Sequence, residues 1–193
     1  QRADGSWDFY NRSGVRFRFG GAESASIASG TRVFAWLLTE QIDTHGNRIA
    51  YEYQRDATGH PYLSRVVYND FSATARNEIR FEYEDRPDVV TSYVPTFADT
   101  IARRLVRIVV VHGGATVRTY DLAYASGQRL SRLGSVTLTG SDGTTKLPTL
   151  RLEYAAPTVR AMRVVTMASA PARSLGTVAE LDESSRAAVL EAV

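Results

Sequence analysis

The sequence contains no cysteine. That excludes disulfides, cysteine-ligated zinc and thiol catalysis, and it removes the usual marker of redox compartment. Lysine is nearly absent: 22 of the 23 basic residues are arginine, and Lys146 is the one lysine. Arginine favours bidentate carboxylate pairing and stacking on aromatic rings, although a coding bias explains the excess as simply. A net charge of +2 leaves no strong field to gather nucleic acid or a membrane surface. No apolar run approaches the roughly 18–20 residues of a membrane-spanning helix. A candidate such as Ile108 to Val111 has the length of a strand. The first residues, Gln1 to Trp7, lack the apolar stretch of a signal peptide, and no initiator methionine precedes them. A piece of a longer chain or a processed product is therefore expected.

Aromatic residues are missing from the last part of the chain. All 19 lie between Trp7 and Tyr154, and alanine, serine, valine and arginine dominate beyond. The shift places a boundary near Ala156-Pro157, between a domain over 1–155 and a linker or tail over 156–193. Within the tail, 181–193 reads as a short helix. Asp182 or Ser184 can cap it, and Ala187, Ala188, Leu190 and Glu191 are good helix formers. A helix this short is marginal alone and needs a partner.

Before the boundary the pattern has period two. Val15, Phe17 and Phe19 alternate with arginines. Ile49, Tyr51 and Tyr53 do the same with Ala50 and Glu52, and Ile79, Phe81 and Tyr83 with Arg80 and Glu82. Tyr120, Leu122 and Tyr124 follow the pattern, as do Leu150, Leu152 and Tyr154. Each run has one apolar face and one polar face, as a half-buried antiparallel strand requires. Phe34, Trp36, Leu38 and Ile42 read as one further strand. Asn11 to Gly14, Asp43 to Asn47, His112 to Gly114 and Ser141 to Gly143 supply turn chemistry between the runs. The fold class is mainly β, built of antiparallel hairpins, with a short helical or irregular C-terminal tail.

The runs ending at Tyr53, Tyr83, Tyr124 and Tyr154 are copies of one unit. Three are followed by Leu-x-x-(Val/Ile)-x-apolar: Leu63, Val66, Tyr68; Leu105, Ile108, Val110; Leu133, Val136, Leu138. Serine or arginine flanks each leucine, as Ser64-Arg65, Arg103-Arg104 and Ser131-Arg132. A step of three and then two breaks strict alternation at the same place each time, and a β-bulge there would return both residues to one face. The longer middle unit carries its extra length as a loop from Asp85 to Thr100. One such unit cannot bury its aromatic face, whereas stacked units can.

Four blocks carry a resemblance. They are Trp36-Leu-Leu-x-x-x-Ile-Asp-x-x-Gly-Asn-x-Ile-x-Tyr-x-Tyr53, Phe81-Glu-Tyr-Glu-Asp-Arg-Pro-Asp88, Arg103-Arg-Leu-x-x-Ile108 and Ser131-Arg-Leu-x-Ser-Val136. In this order they resemble the plasmid-virulence B (SpvB-like) family and the B subunits of bacterial toxin complexes, over about Trp7 to Tyr154. The resemblance implies a structural role. The chain would form part of an extended β-sheet shell of the Rhs/YD-repeat kind, which encloses a toxic cargo domain in a secreted or delivered bacterial protein that is cytoplasmic before release. Its partners would be other segments of the parent toxin chain and other toxin-complex subunits. A severed sheet would also have open edges through which the isolated chain self-associates. The family's calcium-loop propeller repeats have no counterpart here, since Asp142-Gly143 alone is a turn. An independent β-sandwich module that binds carbohydrate or a cell-surface partner is the alternative.

Chemical candidates are few. Glu82-Tyr83-Glu84 has the Glu-x-Glu form of the ADP-ribosyltransferases that end some members of that family. It sits in an alternating strand, and Glu-Tyr recurs at Glu52-Tyr53 and Glu153-Tyr154 without any accompanying Ser-Thr-Ser motif. His45, His60 and His112 lie in predicted turns or loops, none at metal-ligand spacing. Glu82, Glu84, Asp85 and Asp88 could hold a hard cation, but Arg86 in their midst neutralises them. Interleaved tyrosine and arginine could bind sugar or a single nucleic-acid strand, yet the aromatics share the repeated core face. The expectation is no enzyme, no catalytic, metal or cofactor residue, and no nucleic-acid partner.

Overall fold

The computed structural model describes residues 1–69, 76–126 and 129–155. The expected helix over 181–193 lies outside them. Twelve strands are found among the described residues. The N-terminal part holds β1 (Trp7–Tyr10), β2 (Arg16–Phe19), β3 (Ser26–Ser29), β4 (Arg32–Trp36), β5 (Leu38–Ile42) and β6 (Arg48–Arg55). They are followed by β7 (Pro61–Tyr68), β8 (Asn77–Ser92), β9 (Asp99–His112), β10 (Ala115–Tyr124), β11 (Leu133–Thr139) and β12 (Leu150–Arg151). A single 3-10 turn, Glu23–Ala25, precedes β3.

Ten of the strands form one sheet in the order β1-β2-β5-β6-β7-β8-β9-β10-β11-β12, while β3 and β4 pair separately. Every pairing is antiparallel. Chain neighbours are sheet neighbours almost throughout, which is the order that short hairpin connections produce.

The hairpin turns share one design. Asn11, Asp43 and Asp56 each open a loop closed by a backbone bond from the glycine three residues on: Gly14 (3.0 Å), Gly46 (3.1 Å) and Gly59 (3.0 Å). The side-chain oxygen of the opening residue then accepts the amide two residues ahead, from Ser13, His45 and Thr58. Gly46 has φ of 85°, a left-handed value that β-branched residues resist. The Asp43 carboxylate is held below its ordinary range, first by the Asn47 side-chain amide. Between β9 and β10 the loop is Gly113-Gly114, with φ of 54° and 85° and His112 opposite Ala115, the two-residue hairpin that such angles allow.

Three sequence expectations need correction. The run from Phe34 to Ile42 is not one strand. It breaks at Leu37, whose amide bonds Ala25 (2.9 Å) and whose carbonyl accepts from Gly20 (2.8 Å). The chain leaves the small sheet at Trp36 and enters the large one at Leu38, so two partners override one alternating pattern. A Cβ on Gly20 would lie 2.6 Å from the Trp36 ring, so only glycine allows that close approach. The stretch from Asp85 to Thr100 is largely not a loop. Strands β8 and β9 run on together, with Val90 opposite Ile101 and Ser92 opposite Asp99, because β-branched residues on both sides sustain the ladder. Finally, β12 is ordered as a strand only over Leu150–Arg151.

The sheet has a thin core. Ala25, Tyr62, Val67 and Val111 are its buried apolar residues, and Phe9, Tyr93, Val94 and Leu150 are more than half exposed. A single sheet has one layer where a self-contained domain has at least two.

Candidate functional site

The repeated Tyr and Leu meet in space. Tyr53, Tyr83 and Tyr124 stand opposite Leu63, Leu105 and Leu133 of the strand that follows. Just beyond each pair the register slips by one, leaving Ser64, Val106 and Gly134 without a partner. These are the bulges that the Leu-x-x-(Val/Ile) spacing predicts. The same slip follows Phe19 and Leu38, with Thr39 as the extra residue. Ser64 and Thr39 turn their hydroxyls back to the carbonyls of Glu52 (3.0 Å) and Arg18 (3.3 Å), which occupies polar groups freed by the bulge.

Each tyrosine also reaches back one unit. Tyr53 Oη donates to the carbonyl of Leu38 (2.9 Å), Tyr83 to Leu63 (2.8 Å), Tyr124 to Leu105 (2.6 Å) and Tyr154 to Leu133 (2.9 Å). One tyrosine thus joins three successive strands. The residue before Leu63, Leu105 and Leu133 packs on the next tyrosine ring. Tyr62 lies 5.1 Å from Tyr83, the Arg104 guanidinium 4.3 Å from Tyr124, and Arg132 5.6 Å from Tyr154. Burial pushes the Tyr83 hydroxyl up to about 12, and Tyr53 and Tyr124 move the same way for the same reason. The hydroxyls remain protonated donors.

The opposite face carries ion pairs. Asp8 is bonded by Arg2 (2.7 Å) and Arg18 (3.2 Å), and Glu40 by Arg16 (2.6 Å) and Arg48 (2.7 Å). Glu78, only 8% exposed, meets Arg76 (3.1 Å) and Arg80 (2.9 Å). Arg65 pairs with Glu52 (2.8 Å), and Arg107 bridges Glu82 (3.3 Å) and Asp121 (2.7 Å). Burial raises the carboxyls of Glu40 and Glu78, but the arginines outweigh it and both end below the ordinary range.

The acidic candidates are each engaged by arginine. Glu84 pairs with Arg104 (2.7 Å), Asp85 with Arg103 (3.4 Å), and Asp88 takes two bonds from Arg86 (3.1 and 2.8 Å). Asp88 also accepts the amide (2.6 Å) and hydroxyl of Ser131. Arg86 first, then Ser131, hold its carboxyl far below the usual range. This clasp ties the base of the β8–β9 extension to the start of β11. Among the described residues no group of three or more potential metal ligands converges.

The histidines scatter. His60 Nδ1 lies 2.6 Å from Asp99, with its ring edge-on to Tyr62 at 4.9 Å. His112 Nδ1 lies 2.8 Å from Asn77, and His45 is exposed at a turn. The His60–Asp99 contact links the Asp56 turn to the β8–β9 extension, and no sequence spacing announces it. A cleft of about 470 Å³ lies beside Gly20, Gly21 and Ala25 and is lined also by Glu40, Arg48 and Glu52. Two of those charges, Glu40 and Arg48, satisfy each other.

Residues 1–83 match the model of a family described as Salmonella virulence plasmid 65kDa B protein. Solved structures share the fold. One is the N-terminal domain of the effector protein SpvB from Salmonella typhimurium strain LT2, with TM-score 0.61 and 18% identity over 70% of this chain. Another is a chain of the TcdB2-TccC3-Cdc42 structure, with TM-score 0.66 and 19% identity over 77%. A third is a chain of the Photorhabdus luminescens Tc holotoxin pore, with TM-score 0.66 and 20% identity over 77%. The match spans 61% of the SpvB domain and 10% of each of the two toxin-complex chains. No curated protein matches the sequence.

Proposed function

We propose that this chain is a non-enzymatic wall segment of a bacterial toxin or virulence protein, part of a β-sheet shell around a toxic cargo domain. One observation carries the reading. The ten strands form a single sheet whose register is repeated from unit to unit, while large apolar residues remain exposed on it. Such a sheet extends by adding units and is completed by neighbours, as a wall is. The family match and the two toxin-complex neighbours support the same class. The acidic candidates Glu82, Glu84, Asp85 and Asp88 are each paired with arginine, which favours a structural role over a chemical one.

In this reading residues 1–155 are the wall and 156–193 lead to the next element. The partners are other segments of the parent chain and other toxin-complex subunits, and the protein acts after secretion or delivery. An isolated chain would self-associate from β1, where Phe9 and Tyr10 are exposed at a free edge. The β-sandwich alternative lacks a second large sheet among the described residues.

Limited proteolysis of the full-length parent protein tests the wall. The enclosed domain should resist protease, and Tyr83→Ala combined with Tyr124→Ala should expose it. Equal cleavage with and without the substitutions overturns the proposal. For the binding-module alternative, saturable glycan-array signal lost on replacing Phe9 would be the supporting result.

A further inference from the structure

The β8–β9 extension is tied down crosswise. Within the sheet β8 lies beside β7, and β9 lies beside β10. Beyond Asp85 the ties are exchanged. Asp88 of β8 holds Ser131, which leads into β11. Asp99, Thr100 and Ala102 of β9 meet His60, Thr58 and Tyr62 at the β6–β7 turn and the start of β7. A break in register accompanies the exchange: Arg86 to Val89 stand against Ala102 alone, and a bulge of this kind bends and twists the hairpin. Near the tip, the Arg32 guanidinium of β4 lies 5.8 Å from the centre of the Phe97 ring. The extension is therefore a strap. Against it lies Tyr62, 7% exposed, whose hydroxyl accepts the amides of Ala102 (2.9 Å) and Arg103 (3.1 Å).

These ties differ in how they answer pH. Arg86 first, then Ser131, keep Asp88 anionic far below the ordinary carboxylate range. Thr58 donates its hydroxyl to the Thr100 carbonyl (2.8 Å). Burial raises the Tyr62 hydroxyl, which stays protonated. The remaining tie joins His60 Nδ1 and Asp99 Oδ1, 2.6 Å apart, with both side chains 14% exposed, where solvent ions screen poorly. Imidazole is the side chain whose charge ordinarily changes between about pH 5 and 8. The charged groups around His60 are Asp99 on β9, Asp56 in its own turn, and Arg55, which bonds the Gly59 carbonyl. Arg103 and Asp85, paired with each other, line the cleft beside the same turn. The Tyr62 ring meets His60 edge-on.

We propose that the β8–β9 strap is latched by the His60–Asp99 pair, tight while His60 carries its proton and looser once the proton has left. A charge-assisted hydrogen bond is about twice as strong as its neutral counterpart. A proton bound more tightly with the strap down than up favours the closed strap at the acid end, and that contribution is lost as pH rises. The strap opens locally, ahead of the sheet, and its opening uncovers Tyr62 rather than the whole domain. The inference goes beyond the wall reading and does not need it, because every group involved belongs to this chain.

Hydrogen exchange of the purified chain tests the latch, read by mass spectrometry and corrected for the intrinsic dependence of exchange on pH. Protection of the Ala102 and Arg103 amides should fall about fivefold on going from pH 5.5 to pH 8. Protection of Val109 to Val111, inside the sheet, should not change. His60→Gln should abolish the dependence and leave the strap at its looser level throughout. Asp99→Asn keeps the partner's shape and removes its charge, so it should flatten the profile too, and it decides the matter if His60→Gln does not fold. His112→Gln, at the far end of β9, should leave the dependence intact. Equal protection at both pH values in the unsubstituted chain, a rise with pH, or a dependence that survives Asp99→Asn overturns the proposal. So does a dependence lost in His112→Gln. The wall reading is judged separately by protection of the enclosed domain in the full-length parent, so either can fail alone.

Discussion

The middle of the sheet and its two ends are built from the same residues but held differently. Between β6 and β11 each repeated tyrosine is bonded backward to one leucine and faces another leucine forward, and Tyr83 and Tyr124 also carry a stacked side chain. At the C-terminal end Tyr154 keeps the backward bond and the Arg132 contact but faces no leucine among the described residues. At the other end Phe19 stands in the tyrosine's place and has no hydroxyl to give. A residue's contribution here depends on how many neighbouring units exist, which is how repeat arrays distribute their stability.

Acid should produce the largest effect, because it discharges many pairs at once. Asp8, Glu40 and Glu78 are depressed in the folded state. Their stabilisation is therefore present above the unfolded values of 3.8 for aspartate and 4.5 for glutamate, and is lost as pH falls through the lower folded values. Thermal melts should be flat from pH 8 to 6 and drop steeply below about pH 4.5. A Tm that is level down to pH 3 would break the picture.

Tyr83→Ala comes next. It removes a half-buried ring, the Tyr62 contact and the bond to Leu63, and should cost about 3 kcal/mol in urea unfolding. Tyr154→Ala should cost under about 1 kcal/mol, because its ring is already half in water. Equal losses would mean that the ends are as well supported as the middle. Glu78→Ala removes a buried carboxylate that meets the partly exposed Arg76 and Arg80 and should cost about 2 kcal/mol. Its counterpart Glu52→Ala, at an exposed pair, should stay under about 0.5 kcal/mol. The smallest contrast sharpens the ladder itself. Tyr83→Phe should cost about 1 kcal/mol by leaving the Leu63 carbonyl short of a donor. A neutral result would reduce the hydroxyl to a bystander.

Much of this fold was legible beforehand because period two and a repeated misstep are local signals. Leu63, Leu105 and Leu133 followed by a three-residue step imply a bulge whatever the partner is, and the structure has one at each. The glycine turns are equally local. The break at Leu37 was not legible, since Phe34, Trp36 and Leu38 alternate straight across it and only the competing partners Ala25 and Gly20 divide them. The β8–β9 extension was hidden because the stretch from Asp85 to Thr100 read only as extra loop length in the middle unit, and the pairing that makes it a ladder is between distant residues. The Asp88 clasp and the His60–Asp99 contact join residues about 40 apart in the chain, beyond any pattern in sequence.

The sequence by itself determined that this protein is a stack of aromatic hairpins with a kink after each leucine, because alternation and turn chemistry depend on neighbours along the chain. Only the tertiary structure decided what the recurring tyrosine is for. Its hydroxyl bonds a carbonyl 15 to 21 residues earlier, and a bond across that separation exists only once the strands lie side by side.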